Sequence, residues 1–255
     1  MNTDNQLVSL IIPIYNESDH LVEFLNKIDS LTLSIPKELV IVDDSSTDNS
    51  LEILKSFPFS STHRIIEKKI NAGKGAALRT GIESAKGTIF GIQDADFEYD
   101  INDIQKILEP LLNDTADVVF GSRYKNSVLV HRTFHYLINK LLTVVSNLAS
   151  GLYLSDMETC YKFFKREIIE SVILESNRFG FEPEITAKLA KLKIRLAEVP
   201  ISYFPRNYIE GKKITWKDGL AAFAHIARFN FFRNTNQSFK DSLPKKYIPK
   251  AQHWL

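Results

Sequence analysis

What the chain lacks narrows it first. It has one cysteine, Cys160, in 255 residues. A disulfide within the chain and a four-cysteine zinc site are both excluded, and Cys160 reads as a small buried thiol. It has no uncharged apolar run of about 18 residues, so no membrane-spanning helix is expected. The opening stretch MNTDNQLVSL has no basic segment leading into an apolar one. No secretory signal is expected there, and the chain reads as cytoplasmic and reduced. An excess of either charge is missing too: 32 Lys and Arg face 31 Asp and Glu, a formal charge of +1. That removes the case for a general nucleic-acid binder, though not for a local basic patch. The 44% hydrophobic and 25% charged residues suit a folded globular chain able to bury a sizeable core.

The first 120 residues alternate between two patterns. Short apolar runs rich in Val, Ile and Phe occur at 7–14, 38–42, 64–66, 88–92 and 117–120. Helical spacing fills 19–33, 48–57, 75–85 and 101–112 between them. Such alternation predicts an α/β fold with a mostly parallel central sheet flanked by helices. The second half predicts long helices at 134–152 and 215–233, a shorter one at 182–193, and strands at 194–199 and 201–204 around Pro200. The 134–152 helix is unusually apolar, with Lys140 its one formal charge. It is expected either to pack on the sheet or to lie on a membrane surface. The polar stretch from Asn234 to Leu255 is expected to pack loosely.

Sheets of this kind bind ligands outside the carboxyl ends of their strands. Polar groups collect there: Tyr15-Asn16-Glu17, Asp43-Asp44-Ser45-Ser46-Thr47-Asp48, Asn71-Ala72-Gly73-Lys74-Gly75, Asp94-Ala95-Asp96-Phe97-Glu98 and Gly121-Ser122-Arg123-Tyr124. Asp94 and Asp96, one residue apart, repel each other unless neutralised, and a hard divalent cation such as Mg²⁺ or Mn²⁺ suits them. Glu98 can add a third oxygen; a solvated acidic turn is the alternative. Asp44 faces a pocket, or it or one of Ser45, Ser46 and Thr47 caps the next helix. Gly73-Lys74-Gly75 offers backbone amides and an ammonium to a phosphate, or is a plain turn; it is neither a P-loop nor a dinucleotide fingerprint. Arg123, Arg132, Arg206, Lys212 and Lys213 are cations in loop-like sequence.

In order, IIPIYNE, ELVIVDDSSTDNS, NAGKGAALRTGIESAKG, QDADFEYD and FGSRY resemble the family 2 glycosyltransferases of the GT-A fold. GSRY, the His131-Arg132 pair before an apolar helix, DMETCYKFFKREI and the 206–212 segment resemble the polyprenol-phosphate branch, the dolichol-phosphate mannose synthases. The likeness runs over about residues 7–220. It implies one GT-A domain over 1–235, with a nucleotide-sugar half to about 125 and an acceptor half from 126, then a tail over 236–255. It implies that Pro13, Tyr15 and Glu17 line a nucleoside pocket, with Val42 and Asp44 against base and ribose. Asp94, Ala95 and Asp96 would meet the sugar diphosphate, with Lys74 nearby, and Asp96 and Glu98 would hold Mg²⁺ or Mn²⁺. Arg123 and Arg132 would meet the acceptor phosphate; Arg206 and Lys212 would close over the donor.

The implied reaction is inverting transfer of mannose or glucose from a nucleotide sugar, GDP-mannose or UDP-glucose, to a polyprenyl phosphate. Asp94, Asp96 and Arg123 would be the central residues, and the chain would attach peripherally to the cytoplasmic face of a membrane. Two departures stand out. Glu98 replaces the usual Gln, and the usual Asp-x-Thr-Ser-Gly-Phe-Arg reads Asp156-Met-Glu-Thr-Cys-Tyr-Lys162. The second bears on the choice of sugar. A family 2 enzyme acting on a sugar hydroxyl and a non-catalytic nucleotide-sugar-binding protein are the alternatives. A nucleotidyltransferase would need a glycine-rich activating loop, which 7–17 lacks.

Overall fold

The computed structural model describes residues 6–125, 133–205 and 216–249. Its elements run β1 (Val8–Ile14), α1 (Ser18–Ser30), β2 (Lys37–Asp43), α2 (Ser50–Ser56), β3 (Thr62–Glu67), α3 (Lys74–Ser84), β4 (Ile89–Ile92), α4 (Asp103–Leu112), β5 (Val118–Ser122) and α5 (Thr133–Ser150). There follow β6 (Lys162–Lys165), α6 (Arg166–Ile169), α7 (Phe181–Leu189), β7 (Leu196–Pro200), α8 (Trp216–Phe231) and α9 (Thr235–Ser238). The strands form one seven-stranded sheet in the order β3-β2-β1-β4-β6-β5-β7.

The parallel strands are buried on both faces, as their continuous apolar sequence requires: β1, β2, β4 and β5 supply Leu10, Ile12, Leu39, Ile41, Phe90, Val119 and Phe120 to the core. β6 was not foreseen. It runs antiparallel between β4 and β5, pairing Phe90 with Phe164 on one side and Val119 with Phe163 on the other. A Cβ on Gly91 would stand 2.2 Å from the Phe163 ring, so glycine is what lets this strand close in. Because β6 is reversed, its start lies at the edge where the parallel strands end. Residues 156–161 are thereby brought to the ligand-binding edge.

Three other expectations change. Residues 196–200 form a single strand that includes Pro200; among the described residues β7 pairs only with β5, and an outer strand accommodates proline. In 201–204, Tyr203 alone makes a bridge, to Tyr99. The tail is not loose through 249. An Asn234–Gln237 capping box starts α9, Phe239 bridges Val172, and Leu243 and Tyr247 are buried. The Tyr247 hydroxyl donates to Glu167 (2.6 Å).

α5 packs one face on the core and leaves another exposed. Leu142, Thr143 and Ser146 are buried, and Ile138, Val145 and Ala149 pack on the core. Leu137, Leu141, Val144 and Leu148 are 56%, 54%, 52% and 83% exposed, an apolar stripe at helical spacing facing out. No helix among the described residues is long and apolar enough to cross a membrane.

Candidate active site

The ends of β1 and β2 are fixed by one residue. Asp48 accepts from the backbone N–H of Ser18 (3.0 Å) and of Ser50 (2.9 Å), the first residues of α1 and α2, and so ties the two helix starts together. The N-cap position of α2 is Asn49, with no side-chain cap hydrogen bond, rather than any of 44–47. Burial pushes the Asp48 carboxyl up, but the hydrogen bonds from Ser50 and Ser18 outweigh that and hold it at about 2. Tyr15 and Glu17 lie at this rim, with Glu17 N–H donating to Ser50 Oγ (2.9 Å). Pro13 is partly exposed beside them.

Asp44 is almost wholly buried, and its carboxylate is engaged by its own chain. Lys68 pairs with it, and the backbone N–H groups of Ala72 (3.1 Å) and Gly73 (2.5 Å) donate to it. Val42 is fully enclosed and offers no surface to a nucleoside. Neighbouring Asp43 differs: Oδ2 accepts from Ser46 N–H (3.0 Å), while enclosed Oδ1 has no hydrogen-bond partner among the described residues.

The amides expected to meet a phosphate are also taken. Gly75 N–H donates to the Arg178 carbonyl (3.2 Å) and Ala76 N–H to that of Asn177 (3.0 Å). A Cβ on Gly75 would stand 2.3 Å from the Ser176 carbonyl oxygen, so the 175–178 loop sits directly on the start of α3. That loop is shaped from within by Glu184, fully buried and paired with buried Lys188 (2.6 Å), whose carboxylate also accepts from Glu175 and Ser176 N–H (2.7 Å each). Lys74 reaches Asp94 (2.8 Å) and Glu182 of α7 (3.0 Å). Burial pulls the Lys74 ammonium down, but Asp94, Cys160 and Glu182 more than offset it and leave it well above the usual lysine range.

Asp94 is thus neutralised by a lysine. Asp96 and Glu98 follow on the same loop, with Ala95 buried between them and Asp94. Asp96 Oδ1 accepts from Glu98 N–H (3.2 Å), and Glu98 Oε2 from the Tyr203 hydroxyl (3.1 Å). Among the described residues no group of three His, Cys, Asp or Glu is arranged to hold a metal ion. A magnesium-like ion needs fewer, since it takes one or two protein carboxylates and completes its shell with waters and substrate phosphates. Asp96 and Glu98, hard oxygen donors on one loop, fit that requirement; Asp94, held by Lys74, fits it less.

Across the edge, Arg123 follows β5. Its Nε and Nη2 donate to the two oxygens of fully buried Asp156 (2.7 Å each), and its backbone N–H adds a third bond (3.0 Å). The guanidinium lies over the rings of Tyr124 (5.3 Å) and Tyr203 (5.2 Å). Burial opposes its charge, and Asp156 more than restores it. Arg123 is therefore a buried cation fixed in orientation rather than a loop cation in solvent. The structure brings Asp94, Asp96, Glu98, Lys74 and Arg123 to one edge; Arg132, Arg206 and Lys212 lie outside the described residues.

Sequence reasoning passed over Lys68, Asp156, Glu158 and Glu182. Glu182 reads as an ordinary acid in the first turn of a helix, and Asp156 pairs across 33 positions, so no local spacing marks either. Glu158 lay in view as a departure from the Asp-x-Thr-Ser pattern. Its carboxyl is pushed up to about 7, by burial first and then by Glu182.

The family model described as glycosyl transferase family 2 matches residues 9–173. A dolichol-phosphate mannosyltransferase of Pyrococcus furiosus is 29% identical over 209 residues, 80% of this chain and 58% of that protein. The chain thus spans well under two thirds of that relative's length. A dolichyl-phosphate beta-glucosyltransferase of Dictyostelium discoideum is 29% identical over 232 residues, 83% of this chain and 69% of the relative. Among solved structures, glucosyl-3-phosphoglycerate synthase from Mycobacterium tuberculosis, in complex with Mn²⁺, UDP and glucosyl-3-phosphoglycerate, superposes with a TM-score of 0.64 at 17% identity, over 89% of this chain and 80% of that one. That likeness is one of fold, the GT-A arrangement that the motif resemblance implied. By the match over most of its sheet and site, the chain belongs to glycosyl transferase family 2.

Proposed function

We propose that the chain transfers a hexose, mannose or glucose, from a nucleotide sugar to a polyprenyl phosphate, with inversion. The observation that carries this reading is the pairing, at one sheet edge, of the Asp94–Glu98 carboxylate loop with the fixed cation Arg123. The loop suits a donor diphosphate with its metal. Arg123 suits an anionic acceptor, because its pair with Asp156 uses only Nε and Nη2. The relatives named for dolichol-phosphate and dolichyl-phosphate transfer support the same acceptor class.

The chemistry needs little of the protein. A phosphate monoester loses its second proton at a pKa of about 6, so at neutral pH it is largely a dianion and needs no general base. Its oxygen attacks the anomeric carbon from the face opposite the nucleotide, and the glycosidic bond breaks toward the diphosphate. Mg²⁺ or Mn²⁺ held by Asp96 and Glu98 would offset the charge on that leaving group. Arg123 orients the acceptor.

The acceptor is a lipid, and the exposed α5 stripe supports peripheral attachment to a membrane. Leu141→Glu should lower binding to anionic liposomes about tenfold or more, because burying a leucine is worth about 1.5–3 kcal/mol, and should leave the thermal midpoint unchanged.

One assay tests the whole reading: GDP-mannose and UDP-glucose offered with a short polyprenyl phosphate, and products read by mass spectrometry. A glycosylated lipid phosphate that disappears with chelator supports the reading. Product on a sugar hydroxyl alone would replace the acceptor, and undiminished transfer in chelator would remove the metal.

A further inference from the structure

The two halves of the site hang from strands that are not neighbours. The carboxylate loop follows β4 and Arg123 follows β5, and β6 lies between those strands. Adjacent strands stand about 4.8 Å apart, so these strand ends are separated by about 10 Å. The segment after β7 crosses that gap. It leaves the sheet beside β5, where Ile201 N–H donates to the Ser122 carbonyl (3.0 Å). Ser202 N–H then donates to the carboxylate of buried Asp103, at the start of α4 (2.5 Å). From there the segment lies along the carboxylate loop: Tyr203 bridges Tyr99, and Phe204 N–H donates to the Glu98 carbonyl (2.8 Å).

Tyr203 touches both halves. Its hydroxyl donates to Glu98 Oε2 (3.1 Å), since a carboxylate can only accept. Its ring centre lies 5.2 Å from the Arg123 guanidinium and 5.6 Å from the Tyr99 ring centre, and these contacts fix where the hydroxyl stands. Glu98 is thus gripped twice, by Phe204 at its backbone carbonyl and by Tyr203 at its carboxylate. Glu98 N–H donates in turn to Asp96 Oδ1 (3.2 Å), so the grip reaches the second carboxylate. A mobile glutamate loses side-chain freedom when it takes an ion, and one already held loses less. Hydrogen bonds from outside a ligand set orient ligands in this way, and losing one typically costs about 10–100-fold in metal affinity.

We propose that Tyr203 is a positioning residue for the donor-side ion: its hydroxyl sets the Glu98 carboxylate to receive Mg²⁺ or Mn²⁺. The proposal rests on the reading of Asp96 and Glu98 as ion ligands, and not on the identity of the sugar or the acceptor.

The test reads ion binding directly. Free Mn²⁺ is measured by electron paramagnetic resonance, with UDP or GDP present and no acceptor, for the native chain, Tyr203→Phe and Tyr203→Leu. Phenylalanine keeps the ring against Arg123 and removes only the hydroxyl. The expected result is a Mn²⁺ affinity about tenfold weaker in Tyr203→Phe, with the metal-free urea midpoint unchanged. Tyr203→Leu should show the weaker affinity and also a lower midpoint, because the ring is gone. Unchanged Mn²⁺ affinity in Tyr203→Phe, beside a native chain that binds the ion, overturns the proposal alone. A loss seen only in Tyr203→Leu marks packing by the ring and overturns it too. A native chain that binds no Mn²⁺ with either nucleotide overturns the ion reading of Asp96 and Glu98, and the proposal falls with it.

Discussion

The two walls of the site differ in how completely their polar groups are paired. On the wall from Asp43 to Asp94, the carboxylate of Asp44, the ammonium groups of Lys68 and Lys74 and the amides of Gly73, Gly75 and Ala76 find partners within the chain, and Asp43 Oδ1 is the exception. On the wall from 156 to 162, the Arg123–Asp156 pair is equally complete, but Glu158 and Thr159 keep enclosed polar atoms without partners. A fully paired buried network is a scaffold, and breaking it costs stability. An unpaired buried group is a stability cost borne for another reason. The contrast predicts that substitutions on the first wall destabilise the protein, whereas substitutions at Glu158 do not.

The largest effect is expected at Asp44. Asp44→Ala strands the Lys68 ammonium and two amides, and a broken buried ion pair costs about 3–5 kcal/mol, readable as a lower urea midpoint. Glu158→Thr should leave that midpoint level or raise it; an equal loss from both would break the comparison. Arg123→Lys comes next. Lysine cannot reproduce the two-point contact with Asp156, so about 1.5–3 kcal/mol of stability should be lost, with a raised KM for the acceptor. Unchanged stability would show that the second wall is not held by this pair.

The comparison also bears on pH dependence. Glu158 is raised to about 7 in the fold from about 4.3 in the open chain, so the folded state binds the extra proton. Its contribution is full below about pH 4 and is lost as pH rises through 7. Asp48, held at about 2, acts the other way: its contribution is full above about pH 4 and is lost as pH falls toward 2. Denaturant titrations from pH 5 to 8 on native chain and Glu158→Gln should differ in slope; parallel curves would place Glu158 in a better solvated setting.

Much of the first half was legible because its signals are local. Continuous apolar runs mark strands buried on both faces, and acidic residues after them mark the edge. What was not legible depends on distant partners. β6 has four residues with lysine at both ends, KFFK, and no alternation. Its strand character comes from the slot between β4 and β5, and burial of Lys162 depends on two carbonyls. Lys74 and the neighbouring amides read as phosphate ligands because Glu182 and the 175–178 loop lie a hundred residues on. The tail read as loose because it is polar with two prolines, and what holds it, the Phe239 bridge to Val172 and the Tyr247 bond to Glu167, lies far off in sequence.

The reversed β6 also orders events in time. Strands β1 to β4 neighbour one another and can pair as soon as they leave the ribosome. β5 neighbours only β6 and β7, both made later, so on emergence it has no strand to join. Until about residue 165 is synthesised, Val118–Ser122 and the outer edge of β4 remain open together. That interval is when a growing chain is most exposed to wrong pairing, and when a chaperone would have most to protect.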